Sequence, residues 1–227
     1  MDLILMGPPG VGKGTQALGL ADRLGLVHLA SGDLFRQHIG NRTQLGVTAK
    51  TYVDRGALVP DGLVTDMVLD RMLAPDVGGA LLDGYPRTLG QARDLPGRLA
   101  PSGRRIDAVV LLTAPAPMLL RRIVGRQACP ICGEASNEYF QPTRIDGQCD
   151  VCGGAVATRT DDNLDTARHR LEIYDEQTRP LADFYRSARV LVEVDGSGDP
   201  DDVGHRISAA LAKELGLSTK HPVRNTR

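Results

Sequence analysis

The chain alternates between short aliphatic runs and longer stretches with helical spacing. Residues 3–6, 80–82, 108–112 and 190–194 are short and rich in aliphatic and β-branched side chains, and 27–30 is a further run of this kind. Runs that are apolar on both faces suit buried parallel strands. Between them, helical stretches fall at 14–24, 33–41, 44–54, 63–73, 91–99, 116–125, 165–188 and 200–215. Strands that alternate with helices predict an α/β fold, a parallel five-stranded sheet flanked by helices and joined by right-handed crossovers. One segment breaks the alternation. From about 126 to 162 the text is turn-rich, with Gly133, Gly147, Gly153, Gly154 and all four cysteines, and it reads as a small inserted subdomain. The polar end, 218–227, carries Pro222 and reads as a frayed tail.

Composition narrows the classes. The 227 residues suit one domain, or one core with insertions. With 41% hydrophobic residues a sizeable core is available, and a net charge of −1 argues against binding long nucleic acid. Trp is absent and aromatics are 4%, so base-stacking platforms are scarce. No apolar run approaches the ~20 residues that span a bilayer. Met1-Asp2 lacks the basic start of a signal peptide, so a soluble cytoplasmic protein is expected.

The chemistry begins after the first strand, at Gly7-Pro8-Pro9-Gly10-Val11-Gly12-Lys13. Glycines that tolerate positive φ let backbone amides turn inward around a phosphate, and the following helix points its amino end at the anion. Lys13 can reach the outer phosphates. Where Ser or Thr usually follows the lysine stands Gly14, with Thr15 one place later. The plainer alternative is a Gly-Pro turn between strand and helix. In Leu81-Leu82-Asp83-Gly84-Tyr85-Pro86-Arg87 a strand ends on a carboxylate suited to ordering magnesium through water, and Arg87 follows at the carboxyl edge where such sheets bind ligands. Ser31 or Asp33 can cap a helix that carries Arg36 one turn in. Arg122, Arg126, Arg159 and Arg170 flank the cysteine insert, and arginine suits phosphate oxygens and the spread charge of phosphoryl transfer. Cys129-Pro-Ile-Cys132-Gly and Cys149-Asp-Val-Cys152-Gly are two knuckles with the spacing of a tetrahedral zinc site. All four ligand places are filled, which favours a structural zinc over a catalytic one. Two disulfides, four free thiols or a redox pair are the alternatives.

Taken together, the motifs resemble those of adenylate kinases of the long type with a lid insert, within the nucleoside monophosphate kinases. The resemblance covers about residues 1–217. It is carried by Gly7 to Gln16, Ser31 to Arg36, Asp83 to Thr88, Gln91-Ala92, Arg122 to Arg126 and Thr158 to Asp162. It implies a P-loop NTPase-type core, an AMP-binding flap and a zinc-ribbon-like lid insert. The core is assigned to 1–29, 60–124 and 163–217, the flap to 30–59 and the lid to 125–162. The implied reaction is magnesium-dependent: ATP plus AMP gives two ADP.

The same resemblance assigns roles. Gly10, Val11, Gly12, Lys13, Gly14 and Thr15 would hold the ATP phosphates. Arg122, Ala135, Ser136 and the backbone at Gly198 would lie on the ATP base side. Arg36 and Arg87 would hold the AMP phosphate. Ser31, Ala57, Leu58, Val59, Gly84, Tyr85, Pro86 and Gln91 would surround the rest of AMP. Arg126, Arg159 and Arg170 would close on the phosphates, and Asp83 would anchor magnesium. The implied catalytic set is Lys13, Arg36, Arg87, Arg126, Arg159 and Arg170. A monomer is the family expectation.

Three other classes of protein share parts of this pattern. Kinases of UMP or CMP tend to have Ala in place of Ser31 and Asn in place of Thr88. A GTPase-like switch should show Asn-Lys-x-Asp, which is absent here. A zinc-ribbon nucleic-acid module needs basic knuckles, yet 129–154 holds Arg144 alone against Glu134, Glu138, Asp146 and Asp150.

Overall fold

Along the chain run β1 (Asp2–Met6), α1 (Lys13–Leu24), β2 (Val27–Ala30), α2 (Ser31–Gly40), α3 (Gln44–Val53), α4 (Asp61–Met72), β3 (Ala80–Asp83), α5 (Leu89–Leu99), β4 (Ala108–Thr113) and α6 (Ala116–Val124). Then follow β5 (Arg126–Ala128), β6 (Ala135–Asn137), β7 (Ala157–Thr158), α7 (Leu164–Ile173), α8 (Leu181–Ser187), β8 (Leu191–Asp195) and α9 (Pro200–Leu215). The computed structural model describes residues 1–53, 59–158 and 162–216, except the side chains of Arg36 and Val53.

Five strands form a parallel sheet in the order β2-β3-β1-β4-β8. The aliphatic runs fill both faces because successive side chains point to opposite sides. Ile4, Met6, Leu82, Val109 and Leu111 pack under α4, α5 and α8 together with Val68, Leu95 and Leu181. Leu3, Leu5, Leu81, Val110 and Leu112 pack under α1 and α9 with Leu20 and Ile207. The chain leaves central β1 for β2 and β3 on one side, then crosses to β4 and β8 on the other. Loops at the carboxyl ends of β1, β3 and β4 therefore meet at the switch point.

The insert holds a second sheet, antiparallel, in the order β6-β5-β7. The single helix expected over 165–188 is divided. After α7 the chain widens into a π-helical segment, Tyr174–Thr178, where Arg179 N donates to Tyr174 O at 2.8 Å. Pro180 is the physical reason: it lacks an N–H, and its ring clashes with the carbonyl four residues back in a regular helix. The tail expected at 218–227 lies outside the described residues.

Candidate active site

The loop after β1 is shaped by three glycines with positive φ: Gly7 at 147°, Gly10 at 81° and Gly12 at 102°. Two of them also sit against neighbouring backbone. A Cβ on Gly7 would lie 2.6 Å from Leu112 O, and one on Gly10 would lie 2.8 Å from Leu119 O. Gly12 caps α1 without a side-chain hydrogen bond, and the first turn carries no acidic residue. That leaves an N-terminal amide cluster suited to an anion. Val11 is buried, whereas Gly14 and Thr15 are exposed in the first turn.

Lys13 Nζ donates to Gly7 O at 2.7 Å and Pro8 O at 3.0 Å. Burial lowers its pKa from 10.5 to about 8, Asp83 opposes the shift, and the cations Arg87, Arg170 and Arg126 add to it. Four of the predicted charged residues are therefore within electrostatic reach of this lysine. Asp83 ends β3, and its Oδ2 is 3.3 Å from His28 Nε2 on neighbouring β2. His28 pairs with Leu81, two residues before Asp83, so strand alternation sets both polar side chains on one face.

Just past β3, Gly84 has φ 73°, and its carbonyl accepts from Ser31 Oγ at 2.8 Å and Arg87 Nε at 2.7 Å. Burial holds the Arg87 guanidinium below its usual range, with Asp83 opposing and Arg170 adding to the shift. Tyr85 is buried, its phenol pushed up to about 12 by desolvation, and it donates to Thr65 Oγ1 at 2.9 Å. The Tyr85–Pro86 peptide is cis. Gln91 Oε1 accepts from Arg87 N at 2.7 Å, and Thr178 Oγ1 donates to Arg87 O at 3.0 Å. Val59 packs on the α4–α5 side of the core.

On the opposite side, Arg122 of α6 donates to Val11 O at 3.3 Å, Gly196 O at 2.9 Å and Gly198 O at 3.3 Å. It thus bolts the phosphate loop to the turn after β8, and its guanidinium lies 5.5 Å from the Phe140 ring centroid. Arg126, at the start of β5, holds Asp162 through Nε at 2.7 Å and Nη2 at 2.5 Å. Arg170 of α7 reaches the same carboxylate at 3.3 Å. The Asp162 side chain is fully buried, so its charge requires these partners. Ala135 and Ser136 lie on β6 opposite Ala128 and Gln127.

The four Sγ atoms of Cys129, Cys132, Cys149 and Cys152 all lie within 4.8 Å of one another, with pairs at 3.4 and 3.5 Å. Zinc–sulfur bonds of about 2.3 Å at tetrahedral angles require sulfur separations of roughly 3.8 Å, so the set fits a zinc ion. Both knuckles share one geometry: Gly133 N donates to Cys129 O and Gly153 N to Cys149 O, each at 2.9 Å. The thiols of Cys129, Cys132 and Cys152 titrate together: the Cys132 backbone N–H draws the Cys129 thiol down, while burial and the neighbouring sulfurs push those of Cys132 and Cys152 up.

Of the predicted residues, Ala57, Leu58 and Arg159 lie outside the described residues, and for Arg36 only its place in α2 is described. The sequence reading assigned no role to several structural participants: His28, Asp61, Asn137, Phe140 and Thr178, nor to Asp162, although its motif was quoted. His28 had a signal, since it is a polar residue inside an aliphatic run. Asn137 had none: its Nδ2 donates to Arg122 O at 2.9 Å, tying β6 to α6.

A glycine-rich loop after the central strand of this sheet, facing converging cations, defines a P-loop protein built to handle phosphates. Comparison with known proteins makes the assignment specific. The family model described as Adenylate kinase matches residues 5–190. The chain is 44% identical over 214 residues to the adenylate kinase of Carboxydothermus hydrogenoformans, covering 94% of this chain and all of that protein. It is 45% identical over 209 residues to that of Clostridium novyi, covering 92% and 97%. With that of Lachnospira eligens it shares 43% over 217 residues, covering 95% and 100%. The chain belongs to the adenylate kinase family, and it is a phosphotransferase.

Proposed function

We propose that the chain catalyses reversible transfer of the terminal phosphoryl group of ATP to AMP, giving two ADP and balancing the adenine nucleotides. The observation that carries the reading is the convergence of Asp83, Arg87, Arg126 and Arg170 on Lys13 beside the phosphate loop. The loop amides from Gly10 to Thr15 and Lys13 hold the ATP phosphates. Arg87 and Arg36 hold the phosphate of AMP on the other side, and Arg126, Arg159 and Arg170 close over the transferring group.

No side chain need act as nucleophile. An AMP phosphate oxygen attacks the terminal phosphorus and ADP leaves. Catalysis is then positioning plus stabilisation of spread negative charge. Asp83 offers the hard oxygen donor that suits magnesium held through water, and the ion supplies charge neutralisation across the ATP phosphates. Arg122, Ala135, Ser136 and Gly198 face the ATP base. Ser31, Val59, Gly84, Tyr85, Pro86 and Gln91, with Ala57 and Leu58, surround AMP.

The three-part organisation is kept as part of this reading: a core, an AMP flap over 30–59 and a lid over 125–162 that excludes water on closing. The cysteine set holds a structural zinc that stiffens the lid. A monomer in the cytoplasm, without nucleic acid or membrane partners, belongs to the same reading. Among the described residues no helix is long and apolar enough to cross a membrane. The test is stoichiometry: purified protein with magnesium and ATP forms ADP only when AMP is added, two ADP per AMP consumed. ADP formation independent of AMP contradicts the proposal.

A further inference from the structure

We propose that Asp61 is a positioning residue that fixes the polarity of the Gln91 carboxamide and so sets the preference for a 6-amino over a 6-oxo purine monophosphate. This deepens the reading above and rests on Gln91 facing the AMP base. Asp61 opens α4 and stands against the start of α5. Its Oδ1 accepts from Gln91 Nε2 at 2.9 Å, and its Oδ2 accepts from Thr88 Oγ1 at 2.6 Å. The other end of the same carboxamide, Gln91 Oε1, accepts from the Arg87 backbone N–H at 2.7 Å.

A carboxylate only accepts and a backbone N–H only donates. Reversing the amide would set donor against donor at Arg87 and acceptor against acceptor at Asp61. Gln91 is 4% exposed, so water does not relieve the mismatch. The carboxamide orientation is therefore dictated from both ends. By its chemistry each end keeps one further valence, an N–H on Nε2 and a lone pair on Oε1. A 6-amino purine presents an amino donor beside a ring-nitrogen acceptor, and a 6-oxo purine presents acceptor and donor in the reverse order. A fixed amide matches only one of these orders. The space for this arrangement is made by Gly90, where a Cβ would lie 2.6 Å from Asp61 Oδ2.

The test uses purified full-length protein with saturating ATP and with AMP or GMP as acceptor. In Asp61→Asn the partner of Gln91 becomes a group that can donate or accept. The expected result is a KM for AMP raised about tenfold with kcat within about twofold, and a ratio of kcat/KM for AMP over GMP lowered about tenfold. In a Gln91→Ala background the same substitution leaves both quantities unchanged, because Asp61 acts through Gln91. Asp61→Ser is the second variant if Asp61→Asn does not fold. An unaltered AMP preference in these variants, or an equal loss in the Gln91→Ala background, overturns this proposal while the AMP kinase reading stands. A parent protein with no preference for AMP overturns both.

Discussion

Lys13 donates to two loop carbonyls and lies among three arginines, and burial has brought its pKa down to about 8. A base whose folded pKa is below its unfolded value holds its proton less tightly when folded. Its charge therefore opposes folding below about pH 8, and the cost fades as pH rises toward 10.5. Lys13→Met should lower turnover by at least about 10³-fold through loss of charge at the transferring group. Its melting temperature at pH 7 should be no lower than the parent's, with any advantage shrinking between pH 8 and 10; thermal melts across that range check this. In the parent, kcat/KM for ATP should fall above about pH 8, as the free protein loses this ammonium. Lys13 and Arg87 were legible in the sequence because short-range spacing defines their motifs. Asp162 was not recognised as the acid shared by Arg126 and Arg170, because that pairing joins residues 36 and 8 positions apart through the fold.

At the scale of elements, the strands of the core were readable because a parallel strand buried on both faces is aliphatic throughout. The short strands β5, β6 and β7 escaped notice, being two or three residues long, without an aliphatic run, and ranging from half-buried in β5 to exposed in β7. The knuckles between them were readable from cysteine spacing alone. Fresh protein should contain about one zinc per chain by elemental analysis. A strong chelator should lower the melting temperature more than it lowers the initial rate at low temperature, as the proposed structural role of the metal requires. The π-helical segment was hidden because helical periodicity runs through it, although Pro180 marked the place. That segment carries Thr178 to the Arg87 carbonyl. Thr178→Val removes one hydrogen bond worth about 1 kcal/mol and should raise the KM for AMP a few fold with the KM for ATP unchanged, as steady-state kinetics would read.

For the whole molecule, one topological fact organises the rest. With β1 between β3 and β4, the phosphate loop opens between the Asp83–Arg87 turn on one side and α6 on the other. Arg122 and Asp162 then fasten the insert side to the core: Arg122 through Val11, Gly196 and Gly198, Asp162 through Arg126 of β5 and Arg170 of α7. Asp83 and Arg87 from the β3 side and Arg126 and Arg170 from the insert side all lie within electrostatic reach of Lys13, which supports the proposed pair of phosphorylated substrates. The acceptor is the central claim. A coupled ADP-production assay with purified protein, magnesium, ATP and each of AMP, UMP, CMP and GMP measures it most directly. The account predicts a kcat/KM for AMP at least about a hundredfold above the other three, as the proposed recognition of the base through hydrogen bonds requires. Equal rates with the four acceptors, or a preference for UMP or CMP, would contradict it.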